Sequence, residues 1–297
     1  MHLGKALIAV ASLAMAQAPS PAPGNRGLLI TATAAPVPFK THQLNPNLYW
    51  IEGGGGNSGV IIGKKGVIVI DAKTTVAGGK ELLEDIAKIT PKPVTTVIET
   101  HSDGDHINGV AAFPKGITII ATENCKKEEE AARAAGRSAL PAEDLPTQVL
   151  SRNQQVLKLD GVRLDVFHWA NAHTSGDLVV YLPGDKVVFT GDLISPEQPD
   201  PIIHPEKNGS SEGWIYSVTA MVALNSNRFV PGHGEVQTRA EIQKGLDAAK
   251  AKRVKIEGLV KQGKSLDEIR VALGDPPARG RVITFTEVVY RELTKKG

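Results

Sequence analysis

The sequence predicts a mixed α/β fold, with two β-sheets facing one another and helices on their outer faces. Three observations carry that expectation. Strand-like apolar runs alternate with helical stretches, no repeat of fixed short period interrupts them, and each half supplies strands, a polar loop at a strand end, then helices. With 297 residues, 41% of them hydrophobic, the chain can bury a full core without staples.

The first segment reads as an address. In Met1–Ala18 a short start with His2 and Lys5 precedes an apolar run from Ala6 to Ala16, then small residues that fit a cleavage site after Ala16. That run is far shorter than the ~20 residues needed to span a bilayer. Export to the periplasm or beyond is expected, without stable membrane insertion after cleavage. Residues 19–41, rich in Pro and Ala, read as a linker, and 42–297 as the folded domain, with a core over 42–236 and C-terminal helices over 237–297.

Within the domain, Leu48–Ile51 is a strand ended by the run Gly53–Gly56. Val60–Ile62 and Val67–Ile70 flank Gly63-Lys64-Lys65-Gly66 as a hairpin. Leu82, Leu83, Ile86 and Ile89 recur at helical spacing, so Val76–Ile89 is a helix that Thr90-Pro91 closes. Val94–Thr100 and Ile117–Ala121 are strands. A helix is expected to begin at Ile107, and a polar one near Lys126–Ala135. Residues Gly136–Asn153 read as a long surface connection. Gln155–Leu159 and Val162–Phe167 pair around Asp160-Gly161, a hairpin signal. Leu178–Leu182 pairs with Val187–Thr190, and the loop Ser195–Ser211 carries four prolines. Helices over Glu212–Leu224, Arg239–Gln262, Ser265–Leu273 and Phe285–Lys295 follow, with a short strand Arg228–Val230 before the second of them.

Composition excludes several classes. Cys125 is the single cysteine, so there is neither a disulfide framework within the chain nor a Cys-rich zinc module. A formal charge of +2 and 4% aromatics leave no footprint for nucleic acid, and the basic stretch Lys250–Lys261 reads as a solvated helix face. The Gly53–Gly59 run lacks the ending of a phosphate-binding loop and reads as a flexible hairpin tip overhanging a site. No G-x-S-x-G elbow is present, so the chain offers no serine nucleophile of that type.

The informative residues sit at strand ends. Thr100-His101-Ser102-Asp103-Gly104-Asp105-His106 follows an apolar strand and holds four potential ligands. Clustered carboxylates repel one another unless a cation or protons neutralise them, and imidazoles beside carboxylates suit a divalent transition metal. His101 and Asp103, two apart in extended chain, point the same way, which leaves Asp105 and His106 to turn toward a second centre. Three more strand ends carry His173, Asp192 and His233.

This order, His-x-Asp-x-Asp-His followed by His173, Asp192 and His233, resembles the metallo-β-lactamase superfamily over about His42–Val236. The resemblance implies an αββα sandwich with a dinuclear metal centre at one edge. It assigns His101, Asp103 and His173 to one ion and Asp105, His106 and His233 to the other, with Asp192 between them. Asp71, ending the strand Val67–Ile70, would brace the metal loop through hydrogen bonds. A hydroxide held between the ions would attack the substrate, and Asp105 would orient it and accept its proton.

Asp103 departs from the family pattern, which has a second His there. Two divalent ions against three carboxylates leave a formal charge of about +1, where the usual His would leave about +2. The hard oxygen donor favours iron or manganese slightly, with zinc the default. The same resemblance implies that Asp192 points away from true β-lactamases, which generally lack an Asp at the bridging position. The expected activity is hydrolysis of an ester, lactone or thioester bond of a small molecule. Two alternatives are a periplasmic β-lactamase and a metal-binding module without catalysis. His204 and Trp214, flanking the long loop, are the candidate substrate contacts, and Cys125 reads as structural.

Overall fold

A computed structural model describes residues 38–138, 140–275 and 283–295. The expected signal segment Met1–Ala18, and residues 19–37 of the expected linker, lie outside the described residues.

Seven strands make the first sheet, in the order β1 (Lys40–Asn45), β2 (Leu48–Glu52), β3 (Ser58–Ile62), β4 (Val67–Ile70), β5 (Val94–Ile98), β6 (Thr118–Thr122), β7 (Gln148–Leu150). The first four run as an antiparallel meander, and β4 to β7 are parallel. Parallel pairing needs crossovers, which α1 (Val76–Ile89), α2 (Gly104–Ile107) and α3 (Glu123–Ala134) supply. The second sheet orders β12 (Arg228–Val230), β11 (Val187–Phe189), β10 (Val179–Leu182), β9 (Val162–Phe167) and β8 (Gln154–Leu159). Against it pack α4 (Ser211–Val222), α5 (Arg239–Lys261), α6 (Leu266–Leu273) and α7 (Phe285–Thr294).

Strand periodicity builds the layers. In β4 every residue is buried, and the side chains split by parity. Ile68 and Ile70 join Leu48, Trp50, Ile98, Leu164 and Val180 between the sheets. Val67 and Val69 face outward onto Leu82 and Ile86 of α1. The second sheet does the same: Val180 and Leu182 point inward, while Val179 and Tyr181 meet Val218, Leu246 and Val289 of the helices. The result is the expected four-layer αββα sandwich, with three apolar seams.

Helix α1 has the predicted bounds. Thr75 caps it by accepting from Gly78 N, and its buried Leu82 and Ile86 lie one turn apart. The chain differs from expectation at four places. β1 was not foreseen, because Lys-Thr-His-Gln-Leu-Asn has no alternating apolar face; it is an edge strand, and His42 stacks on Trp50 at 4.0 Å. The segment 136–153 is not all surface: β7 adds to the sheet edge and buries Leu150, and Leu140 is buried before it. α3 starts three residues before Lys126, since the Thr122 side chain caps it through Cys125 N. The helix expected from Ile107 is instead the single turn α2 followed by a 3-10 turn, Asn108–Ala112. Its Gly109 N is already committed to Lys73 O at 2.9 Å.

Lys73 is fully buried just after β4. Its Nζ donates to Ile51 O at 2.7 Å and Gly56 O at 2.9 Å and lies over the Phe39 ring. Both Asp71 (φ 59°) and Lys73 (φ 79°) hold left-handed backbone, a conformation that costs non-glycine residues of order 1–3 kcal/mol unless their surroundings enforce it. The Lys73 bonds are part of that enforcement. Burial pulls the Lys73 ammonium down to about 7, even though Asp71, Asp85, Glu52 and Glu81 work against the change.

Lys73→Met removes the donor from two buried carbonyls and is expected to cost about 1–3 kcal/mol in urea unfolding. The deficit should widen as pH is raised from 7 to 9. In that window the unfolded lysine keeps a proton that the folded one releases, so the native wild type gains stability and the methionine variant does not.

Candidate metal centre

The sheet topology decides where the ligand-type residues gather. β4 and β5 run parallel, as do β11 and β12, and β10 opposes β11. The ends of four strands and the start of β10 therefore lie at one edge of the sandwich, which brings together Asp71, the 101–106 loop, His173, Asp192 and His233. Backbone hydrogen bonds stitch these loops: Ala72 N to His106 O, Leu178 N to Thr100 O, Gly56 N to Asp105 O, and Asn57 N to Gly232 O.

Two groups of donors result. His101, Asp103, His173 and Asp192 offer atoms within 4.8 Å of one another, and so do Asp105, His106 and His233. Asp192 faces both groups. Its Oδ1 is 3.2 Å from His106 Nε2, and its Oδ2 is 3.6 Å from His233 Nε2, 3.8 Å from His173 Nε2 and 4.0 Å from His101 Nε2. Asp105 Oδ2 lies 3.0 Å from His233 Nε2.

The rings are oriented from behind. His106 Nδ1 is 2.8 Å from Asp71 Oδ2, and His173 Nδ1 is 2.9 Å from Ile202 O. Thr100 donates its N–H and its hydroxyl to Asp71, so the hydroxyl oxygen, 2.9 Å from His101 Nδ1, is left to accept from that ring. With each Nδ1 acting as donor, three Nε2 lone pairs turn inward. Asp71 is thus the shared brace that the sequence suggested. It reaches His106 directly and His101 through Thr100.

Among the described residues no fixed donor answers those lone pairs, and His101 Nε2 and Asp192 Oδ1 are buried with no hydrogen-bond partner there. His106 Nε2 and His233 Nε2 face each other at 3.4 Å. Unpartnered nitrogen and carboxylate donors converging on one space fit divalent cations, which take such ligands. The electrostatics agree. Burial alone would lower His106, but the Asp192 and Asp71 carboxylates outweigh it and raise the ring well above its ordinary value. His173 is raised to about 9 by Asp103 and Asp192 against the same burial penalty. Burial opposes ionisation of Asp192, yet His106, His101 and His173 hold it far below the usual carboxylate range. The cluster draws in positive charge.

Close approach fixes the glycines. A Cβ on Gly232 would meet Asp192 Oδ1 at 1.8 Å, and one on Gly56 would meet the His106 ring at 2.2 Å. The end of the glycine run, Gly55 and Gly56, therefore lies against the site, while Gly53 and Gly54 lie beside Phe39 and Gly54 is exposed. Asn57 Nδ2 anchors the run to Pro231 O and Gly234 O.

Of the two proposed substrate contacts, His204 reaches the cluster, with Nε2 3.3 Å from Asp103 Oδ2. Trp214 is 4% exposed, and its indole N–H is used on Leu193 O. It belongs to the core under α4, with one edge in the wall of a 450 Å³ cavity that extends to Asp192. A second cavity, of 530 Å³, lies beside Ser102 and is edged by Lys127, Arg137 and Lys207. Lys207 was not singled out from the sequence; its ammonium binds Asp103 Oδ1 and Ser102 Oγ. Behind the metal loop, Glu99, Cys125 and Glu129 form a buried trio. Burial keeps Glu99 well above the usual carboxylate range and lifts Glu129 to about 7.

Comparison with known proteins places this geometry. The family model of the metallo-beta-lactamase superfamily matches residues 51–233. A metallo-beta-lactamase type 2 of Bacillus sp. (strain 170) is 29% identical over 220 residues, 70% of this chain and 81% of that protein. The alpha subunit of a 2,4-dinitroanisole O-demethylase from Nocardioides sp. (strain JS1661) is 26% identical over 219 residues, 71% of this chain and 64% of that protein. Among solved structures, the stereoselective inverting sec-alkylsulfatase of Pseudomonas sp. superposes with a TM-score of 0.72 at 16% identity, a likeness of fold. That match covers 86% of this chain, which spans 50% of the sulfatase's length. The family match covers the metal loop, His173, Asp192 and His233, and on it the chain belongs to the metallo-beta-lactamase superfamily, as a metal-dependent hydrolase.

Proposed function

We propose that the chain is an exported dinuclear hydrolase that cleaves an ester, lactone or thioester bond of a small molecule. The observation that carries this reading is Asp192, one carboxylate facing both donor groups from the end of β11. A single acid placed between two ligand sets suits a centre in which both are filled. In this reading His101, Asp103 and His173 would hold one divalent ion and Asp105, His106 and His233 the other, with zinc the default and iron or manganese favoured slightly at Asp103. Bound divalent ions would supply Lewis acidity and water deprotonated near neutral pH.

The side chains do the rest. Asp105 is half-exposed, with Oδ2 3.0 Å from His233, so it can accept a proton at the mouth of the site. Asp71 holds His106 and, through Thr100, His101 in the tautomer that presents Nε2. The cavity beside Ser102 is lined by both signs of charge, Lys127, Arg137 and Lys207 with Glu128, Glu129 and Glu206, and offers polar contacts to a small substrate. Relatives named for a β-lactam, an aryl ether and, in the linear primary-alkylsulfatase of Pseudomonas sp., a sulfate ester support the hydrolytic class more than any one substrate. The β-lactam reading is kept because a named β-lactamase covers most of the domain. Export rests on the Met1–Ala18 segment; among the described residues no helix is long and apolar enough to cross a membrane. No nucleic-acid partner is proposed.

A panel of lactones, thioesters, carboxylic esters and nitrocefin, assayed with metal-loaded protein, separates the readings. Turnover of nitrocefin alone would favour the β-lactamase. Asp105→Ala and His233→Ala are each expected to lower kcat/KM by about 10²–10⁴-fold, and Cys125→Ala to leave it unchanged. Full activity after exhaustive chelation would refute the metal mechanism. Asp71→Asn is expected to weaken metal retention by about 10–100-fold in competition with a chromophoric chelator.

A further inference from the structure

Asp103 stands where the family pattern has an imidazole. An imidazole offers an ion one lone pair, whereas a carboxylate can offer one oxygen or both. The neighbours of Asp103 decide between the two modes. It sits at the N-cap of α2, yet its side chain makes no capping bond. Its two oxygens face different partners instead. Oδ2 looks into the donor group, 3.1 Å from His173 Nε2 and 3.6 Å from His101 Nε2. His204 Nε2 is 3.3 Å from the same oxygen, and its Nδ1 is 2.7 Å from Glu206 Oε1, the contacts of a protonated ring between two carboxylates. Oδ1 is held by the Lys207 ammonium.

Lys207 is fixed for this contact. An ammonium has three hydrogens, and acceptors stand ready for all of them: Asp103 Oδ1, Ser102 Oγ at 2.9 Å and Ser102 O at 3.2 Å. Ser102 Oγ is free to accept because its own hydrogen goes to Glu128 Oε2 at 2.5 Å. The other Glu128 oxygen accepts from Ser175 N at 3.1 Å, which ties the same network to the loop that carries His173. The backbone of Lys207 is pinned on both sides, its N–H on His204 O at 2.9 Å and its carbonyl accepting from Ser175 N at 2.8 Å. The Lys207 side chain is 27% exposed and that of Asp103 16%, so water screens this pair less than it screens a surface ion pair. No hydrogen of the ammonium is left over for a substrate.

We propose that Lys207 is a positioning residue that confines Asp103 to coordination through Oδ2 alone and thereby sets the metal preference of the first ion. The inference rests on the reading that His101, Asp103 and His173 hold that ion. With Oδ1 occupied, Asp103 presents one donor atom, as the imidazole of the family pattern does. Zinc is served by few ligands in a near-tetrahedral array, whereas manganese takes six oxygen-rich ones. A second carboxylate oxygen would raise the coordination number and favour manganese. Lys207 withholds that oxygen, so the hard donor that Asp103 introduces does not carry the site over to manganese.

The test is metal binding by the full chain, metal-free at the start and without turnover. Zn(II) and Mn(II) affinities are measured by competition with chromophoric chelators, and Co(II) binding by visible absorption. The equivalent that His233→Ala weakens is the second ion, which identifies the other as the first. Lys207→Met is expected to lower the Zn:Mn affinity ratio of the first ion by about 10–100-fold, the size of effect that outer partners have on ligands. Its Co(II) d–d band should weaken as the coordination number rises. The second ion should keep both affinities, which shows that the variant is folded. In an Asp103→His background the same substitution should leave the ratio unchanged, because an imidazole has no second oxygen to release. An unchanged ratio in Lys207→Met, or an equal fall in the Asp103→His background, would overturn the proposal and leave Lys207 as a structural ion-pair partner. A wild type that binds fewer than two equivalents, or that keeps both unweakened in Asp103→Ala, would overturn the dinuclear assignment and the proposal with it.

Discussion

The constraint behind this structure is electrostatic. Asp103, Asp105 and Asp192 converge on imidazoles whose Nδ1 atoms are engaged elsewhere, so lone pairs and negative charge point into one space. Such a gathering is unfavourable without cations, because His101 Nε2 and Asp192 Oδ1 are buried with no hydrogen-bond partner among the described residues. The rest of the fold serves to hold the repelling groups in place. Two sheets packed face to face bring five strand ends to one edge. The glycines at 56 and 232 permit contact distances that any side chain would block.

Asp71 shows how this placement is achieved. It sits in left-handed backbone directly after β4 and accepts from Thr100 N, Thr100 Oγ1 and the His106 ring. One carboxylate thereby sets the entry of the metal loop and the orientation of its last ring. The neighbouring Lys73 secures the same turn from the other side, through carbonyls of β2 and of the glycine run. The strain of the turn is carried by hydrogen bonds that converge from four separate segments.

The sequence revealed the parts of this arrangement that depend on residue type and local period. The helix Val76–Ile89 was legible because Leu82 and Ile86 fall on one face. The hairpin at Asp160-Gly161 was legible because those residues accept positive φ, at 46° and 83°. The His and Asp candidates stood out because such side chains rarely end strand after strand. What was hidden depends on tertiary partners. β1 and β7 are edge strands, whose partly solvated sides leave no clean alternation. Lys73 and Lys207 look like ordinary surface lysines until Ile51, Gly56 and Asp103 are brought beside them. Glu206 looks like a solvated acid until the His204 ring is set against it, and Gly56 looks like an ordinary turn residue until the His106 ring is set beside it.

The buried trio behind the metal loop has a chemical consequence of its own. Cys125 is fully enclosed, its Sγ 3.2 Å from Glu129 Oε1. Burial, then the nearby Glu129 and Glu99, push its thiol well above the ordinary range. The nucleophilic thiolate is therefore scarce, and attacking reagents have no route to it. The single sulfhydryl of the chain is inert while the native state persists, sheltered from oxidants and from exchange with foreign disulfides. An alkylating dye would label it only after the layers around α3 had come apart, which turns this one sulfur into an internal clock for unfolding.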